Sequence, residues 1–328
     1  MKVAVIGGGS WATAIVKMLC NNCDTVTWWM RNKEAIEHIK RYRHNPNYLP
    51  SVQFDLEILD LTSDLEKAIT EVDMVIIATP SAFLYGLFKD FPAKHFDGKV
   101  VFSAVKGIIP EYHAIPARFI HKQFGVPYSD IGIISGPCHA EEVAQEKLSY
   151  LTLACQTETH ASALADLLSC RYIKTSTSDD LFGTELSAVL KNVYSVACGI
   201  CHGLGYGDNF QAVLVASAIR EIESFVDAVH TIHRDVKTSA YLGDLLVTAY
   251  SQFSRNRTFG SMIGRGYSVK SAMFEMNMVA EGYYAVESII EMNKRFQVDL
   301  PICEAVYNIV YEKISPVVEM RILADKLA

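Results

Sequence analysis

Lys2-Val3-Ala4-Val5-Ile6-Gly7-Gly8-Gly9-Ser10-Trp11-Ala12 is the stretch on which the reading of the whole chain turns. Four apolar residues in succession suit a central strand of a parallel sheet, where both faces are buried and no polar alternation is needed. The glycines that follow read G-x-G-x-x-A, and residues 12–19 continue as a helix with apolar side chains on one face. Each small residue then has its own task. Gly7 permits the tight turn, Gly9 lets the backbone approach a pyrophosphate, and Ala12 lets the helix pack closely on the strand. The helix start offers N–H groups and the positive end of the peptide dipole, which suit phosphate. Glycine spacing alone is ordinary in turns. Its place between this strand and this helix predicts a dinucleotide site.

Working outward, strand-like runs alternate with helical ones, the pattern of a Rossmann-type doubly wound α/β domain. Thr25-Val26-Thr27-Trp28-Trp29-Met30 is the second strand, followed by Arg31-Asn32. A NAD-preferring domain usually has an acid here for the ribose 2′-hydroxyl. This chain has none. Arg31 suits a 2′-phosphate or an adenine face, or it is a solvated arginine opening the helix predicted over 33–43. A loop over 44–50 and a short helix capped by Ser63-Asp64 come next. Further strands over 73–78, 99–105 and 131–135 end at Thr79-Pro80-Ser81, Lys106-Gly107 and Gly136-Pro137-Cys138-His139-Ala140. Ligands in open α/β sheets sit beyond the carboxyl ends of strands, so these stops form the candidate binding edge. The helix start near Ala140 is a candidate anion site. Cys138 has no base nearby in sequence and reads as a pocket wall rather than a nucleophile. Strands near 150–155 and 172–175, with a helix over 160–169 between them, finish the sheet.

The chain's 328 residues suggest about two domains, and the alternation stops after Asp179. We place a dinucleotide-binding domain at 1–180 and an all-α, substrate-binding domain at 181–328. Half of the residues are hydrophobic and the net charge is −7, which argues against nucleic acid as a general partner. No apolar run reaches the roughly 18–20 residues that span a bilayer, so no integral membrane contact is expected. Met1-Lys2 leads straight into a strand with no export signal, which reads as cytoplasmic. The eight cysteines are then expected as free thiols, Cys198-x-x-Cys201-His202 included, with no haem and no metal site.

In the helical half, polar residues interrupt apolar runs. Lys191-Asn192 sits among Leu190, Val193, Tyr194 and Val196, where a lysine either snorkels to solvent or lines a cleft. The glycine-rich stretch over 203–209 has no preceding strand and reads as a helix–helix connection before a helix over 208–229. Asp244 is bracketed by aliphatic residues. Ser254-Arg255-Asn256-Arg257 presents two guanidinium forks, either a small-phosphate site or a solvated charge run.

Taken in order, the motifs at 7–14, Lys106-Gly107, 135–142, Lys191-Asn192, 203–209, 243–246, 254–260 and Glu281-Gly282 give the chain its resemblance. It resembles the soluble bacterial NAD(P)-dependent glycerol-3-phosphate dehydrogenases over nearly its whole length. The resemblance implies interconversion of sn-glycerol 3-phosphate and dihydroxyacetone phosphate for phospholipid synthesis, with NAD or NADP as cofactor, by a homodimer. It makes Lys191 the proton acceptor and places Lys106, Gly136, Cys138, Asp244, Ser254, Arg255 and Asn256 around the substrate, the last two on its phosphate. The cofactor side would hold the turn Gly7, Gly9 and Ala12 with Ser10, Trp11, Arg31, Asn32, Lys106, Ala140, Arg255, Val279 and Glu281. Ala12 replaces a commoner glycine, Cys138 a commoner Ser or Thr, and Asn32 stands where a second basic or polar residue often appears.

The chemistry can be argued without the family. Oxidising a secondary alcohol needs a base for its O–H while hydride leaves carbon, and a lysine at its ordinary pKa of ~10.4 is no base at neutral pH. Burial, a neighbouring Lys106 and a positive nicotinamide ring would lower Lys191; Asp244 would oppose that and hold the ammonium in line. Two other readings are a related dehydrogenase for a hydroxy acid or sugar acid, and an NAD(P)-binding sensor without turnover. The sensor predicts loss of the base, yet Lys106, Lys191 and Asp244 are all present.

Overall fold

Val3–Ile6 forms β1, which is buried at every position and pairs with a strand on each side. The computed structural model describes residues 1–276 and 280–327. β2 (Val26–Trp29), β3 (Leu59–Thr62), β4 (Met74–Ile77), β5 (Val100–Ser103), β6 (Ile131–Ser135), β7 (Ser149–Cys155) and β8 (Ile173–Ser178) complete one sheet in the order 3-2-1-4-5-6-7-8. The 3-2-1-4-5-6 part is the doubly wound dinucleotide-binding order, which reverses at β1. Only the β6–β7 pair is antiparallel. The register sets Ile6 level with Trp29 and Ile77, and Ile77 level with Ser103, so the Gly7 turn, Met30-Arg31 and Ala78-Thr79 leave the sheet along one edge. β3 lies outside the strands expected from sequence. It is a partly exposed edge strand, Leu-Asp-Leu-Thr, with no apolar run to announce it.

The strands are flanked by α1 (Ser10–Leu19), α2 (Lys33–Tyr42), α3 (Leu65–Thr70), α4 (Ser81–Phe88), α5 (Pro116–Phe124), α6 (Ala140–Ala144) and α7 (Glu158–Leu168). Ala12, Ile15, Val16 and Leu19 give α1 one apolar face, which joins Val3, Val5 and Trp28 in the core. α6 spans only five residues and has Glu141 and Glu142 in its first turn. That corrects the anion site expected at its start, since so short a helix sums little dipole and two carboxylates already use the field.

These elements make the first of two compact units, Met1–Val105 with Pro116–Leu181; the second is Lys106–Ile115 with Phe182–Ala328. The segment with Lys106 therefore groups with the helical half rather than with the sheet whose strand it follows. Ile108 and Ile115 are the reason, since both are buried in the helical core. That core is built by α8 (Leu181–Leu204), α9 (Asp208–Val229), α10 (Asp244–Tyr250), α11 (Arg255–Gly264), α12 (Val269–Glu275), α13 (Glu281–Phe296), α14 (Pro301–Val310) and α15 (Pro316–Lys326). Gly199 and Gly203 of α8 meet Gly260 and Gly264 of α11, and a Cβ on any of the four would overlap the other helix's backbone. Gly203 thus lies within α8 and serves this crossing, while the connection to α9 is only residues 205–207.

Candidate active site

Lys191 sits midway along α8 between Leu190 and Val193, both fully buried. Its side chain is 5% exposed, so it does not snorkel to solvent. A buried ammonium is costly unless paired. Its partner is Asp244, the first residue of α10, whose Oδ1 forms an ion pair with Lys191 Nζ. The other carboxylate oxygen faces Lys106 Nζ at 3.4 Å. Asp244 continues a π-helical turn over Ser239–Gly243 into α10, and its carboxylate is set between two cations.

This arrangement moves protons apart from their ordinary affinities. Burial pushes the Lys191 ammonium down to about 7; Asp244 pulls the other way and Lys106 adds to the lowering. Burial alone would raise Asp244, but Lys106 and Lys191 together hold its carboxyl below the usual aspartate range. The result is an anchored anion beside an amine that exchanges its proton near neutrality, the property a general acid–base group needs.

A second set of bonds fixes the surroundings. Gly282 N–H donates to Asn256 Oδ1 at 2.9 Å, Asn256 Nδ2 donates to Asn192 Oδ1 at 2.9 Å, and Asn192 Nδ2 donates to the Lys106 carbonyl at 2.6 Å. The relay ties the starts of α13 and α11 to α8 and to the Lys106 backbone. Gly282 is required there, because a Cβ would run into the Asn192 carbonyl. Asn256 therefore has its carbonyl oxygen and one N–H engaged, leaving its second N–H for a ligand. Ser254, placed around the substrate by the resemblance, also has a structural part. Its hydroxyl caps α11 by accepting from Arg257 N at 3.3 Å and lies 2.8 Å from Ser195 Oγ, which itself donates to the Thr248 carbonyl. Arg255 is exposed at the first position of α11. Ser195 and Thr248 were missed as site-builders because their roles come from helix crossings, whereas Asn192 was singled out with Lys191 but without its partners.

In the first unit, Gly7 has φ +145°, and a Cβ there would lie 2.5 Å from the Ala78 carbonyl, so only glycine fits. At Gly9 no atom lies within 4 Å of where a Cβ would be, which leaves room for a ligand to come close to the backbone. Ser10 opens α1, Trp11 is half-buried and Ala12 is fully buried. A turn shaped in this way, at the reversal point of the sheet, fits a dinucleotide pyrophosphate. Arg31 is exposed just after β2. Asn32 caps α2, its Oδ1 accepting from Glu34 N and Ala35 N. Gly136 has φ +114° with a Cβ position 2.7 Å from the Tyr150 carbonyl, and Cys138 and Ala140 are buried beyond it. In the second unit Glu281 opens α13. Val279 lies outside the described residues. None of the eight cysteines forms a disulfide, and among the described residues no group of His, Cys, Asp and Glu is placed to hold a metal. No described helix is long and apolar enough to cross a membrane.

Comparison with known proteins matches both halves. The family profile for the NAD-dependent glycerol-3-phosphate dehydrogenase N-terminus covers residues 2–161, and that for its C-terminus covers residues 180–321. A glycerol-3-phosphate dehydrogenase (NAD(P)+) of Staphylococcus carnosus is 34% identical over 95% of this chain and 94% of its own length. One of Staphylococcus aureus is 33% identical over 96% and 95%. A solved glycerol-3-phosphate dehydrogenase from Coxiella burnetii superposes with a TM-score of 0.90 at 25% identity, covering 98% of each chain.

Proposed function

The chain belongs to the NAD-dependent glycerol-3-phosphate dehydrogenase family, and on that premise we propose how its residues carry the reaction. It interconverts sn-glycerol 3-phosphate and dihydroxyacetone phosphate with NAD or NADP, an oxidoreductase activity that belongs to glycerophospholipid metabolism. The observation that carries the assignment of roles is the Lys191–Asp244–Lys106 cluster.

A bound nicotinamide would supply the hydride acceptor for C2 of the alcohol, or the donor for the ketone. Neutral Lys191 accepts the C2 hydroxyl proton in oxidation; as ammonium it donates the proton to the carbonyl oxygen in reduction. Asp244 holds the Lys191 amine in one direction through the cycle, and Lys106 keeps its proton affinity low. The substrate phosphate goes to the exposed Arg255 guanidinium and the remaining N–H of Asn256, because guanidinium geometry matches phosphate oxygens. Gly136 and Cys138 belong to the substrate side. Gly7, Gly9, Ser10, Trp11 and Ala12 hold the pyrophosphate, Arg31 and Asn32 the adenosine end, and Lys106, Ala140, Arg255, Val279 and Glu281 the remainder of the cofactor. The unit built on the sheet is the dinucleotide-binding domain and the helical unit the substrate domain. The enzyme works as a homodimer in the cytoplasm. The lack of disulfides supports a reducing compartment, and the exposed Ile314 just before α15 with the exposed Val317, Val318 and Ile322 on it support a further contact surface.

The test is dihydroxyacetone-phosphate-dependent oxidation of NADH and, in parallel, NADPH. Turnover is expected, and the ratio of the two rates reports what Arg31 and Asn32 select. Tight NADH binding without turnover, or turnover only with an oxo acid, would overturn the reading.

A further inference from the structure

Three successive carbonyls of the Gly7-Gly8-Gly9 turn are held by side chains from elsewhere in the first unit. The Gly7 carbonyl accepts from the Trp28 indole Nε1–H at 2.7 Å. The Gly8 carbonyl accepts from Asn45 Nδ2 at 3.1 Å. The Gly9 carbonyl accepts from Thr13 Oγ1 at 2.9 Å, and Asn45 Nδ2 also donates to that hydroxyl at 3.0 Å. Trp28 and Thr13 are fully buried, and Asn45 is 1% exposed although it sits in the loop after α2. The Asn45 amide is oriented from both ends, since its Oδ1 accepts from Asn47 N at 3.0 Å and Tyr48 N at 3.3 Å. One amide group therefore folds its own loop and clamps the glycine turn.

The direction of those bonds matters for a phosphate. A trans peptide unit is planar, so a carbonyl drawn into the protein sends the next residue's N–H the opposite way. Anchoring the Gly7, Gly8 and Gly9 carbonyls thus fixes where the N–H groups of Gly8, Gly9 and Ser10 point. Three consecutive glycines otherwise have the widest backbone freedom of any tripeptide, and ordering them only when a ligand arrives would weaken binding.

We propose that Asn45 is a positioning residue for the dinucleotide pyrophosphate: it presets the phosphate-binding turn by holding the Gly8 carbonyl and the Thr13 hydroxyl. The inference rests on the reading of this turn as the cofactor site. It gives the 44–50 loop, which lies between α2 and β3, a part in cofactor affinity that its sequence position does not suggest.

Asn45→Asp is the diagnostic variant. It keeps the oxygen that accepts from Asn47 and Tyr48 but puts an acceptor where Gly8 and Thr13 need a donor. NADH is titrated into substrate-free protein by nicotinamide fluorescence, and a roughly tenfold weaker Kd is expected, the scale of one buried hydrogen bond lost. The kcat at saturating NADH and the KM for dihydroxyacetone phosphate are expected to stay within about twofold, a split that general loosening of the fold would not give. Thr13→Val, close to isosteric, removes the shared hydroxyl and is expected to weaken NADH similarly, whereas Thr13→Ser keeps the hydroxyl and the affinity. If Asn45→Asp does not fold, the Thr13 pair decides. NADH binding within about twofold of wild type in folded Asn45→Asp or Thr13→Val would overturn the proposal. Failure of the wild-type protein to bind NADH would instead overturn the cofactor reading beneath it.

Discussion

The glycine turn after β1 and the Lys191–Asp244 cluster are both polar sites set against apolar cores, and they are made in opposite ways. The turn is a backbone site. Its donors are peptide N–H groups, its requirement is the absence of a Cβ at Gly7, and its strand, turn and helix are contiguous from Val3 to Leu19. The cluster is a side-chain site, assembled from residues as distant in sequence as Lys106 and Asp244, 138 positions apart. A backbone site is sensitive to steric bulk, whereas a side-chain site is sensitive to chemical identity. Substitutions at the two should therefore separate cofactor binding from proton transfer.

The largest separation is expected at Lys191→Ala. Its kcat should fall by at least about 100-fold, the usual scale of a general acid–base group, while NADH affinity measured without substrate stays close to wild type. Parallel loss of both would mean that the two sites are not independent. Gly7→Ala tests the other side. The strained backbone and the contact with Ala78 are expected to cost about 1–3 kcal/mol, seen as a lower Tm and weaker NADH binding. Its kcat at saturating cofactor should change little; a collapse of kcat with unchanged NADH affinity would break the comparison.

A smaller effect is expected at a buried carboxyl outside both sites. Glu221 on α9 accepts from Ile302 N at 2.7 Å at the start of α14. Burial pushes it up to about 8 from the ordinary 4.5, against the pull of backbone bonds from Ile302 and Cys303. The folded state then holds a proton that the unfolded state releases between those values. This contribution to stability is full below pH 4.5 and is lost as pH rises through about 8. Glu221→Gln should flatten that slope in urea-melt stability without altering kcat at neutral pH. An unchanged slope would place the titration elsewhere.

How legible each part was follows from the same contrast. The Rossmann-type sheet could be read because its central strands are unbroken apolar runs and its phosphate turn is a local string. β3 escaped because an edge strand carrying Asp60 has neither signal. Lys191, Lys106 and Asp244 could be named from a family resemblance, but the burial that lowers Lys191 depends on how α8 is surrounded. The cap that Ser254 makes on α11 and its bond to Ser195 had no sequence signal, since they depend on the α8–α11 crossing that Gly199, Gly203, Gly260 and Gly264 permit. Lys106 looked like the end of a sheet strand and belongs with the helical core through Ile108 and Ile115. Asn45 had no signal at all, because a buried amide in a loop is recognised only by the carbonyl it holds.

The most direct test of the central claim is the pH dependence of kcat/KM for sn-glycerol 3-phosphate oxidation in wild type and Asp244→Asn. If Lys191 is the proton acceptor, as proposed, oxidation needs it neutral, so the wild-type value should rise with pH through an apparent pKa near 7 and then level off, while dihydroxyacetone phosphate reduction shows the opposite slope. Asp244 raises the proton affinity of Lys191, so its removal should move the oxidation midpoint to lower pH. A midpoint near the ordinary lysine value of ~10.4, or one that Asp244→Asn leaves in place, would contradict Lys191 as the proton acceptor.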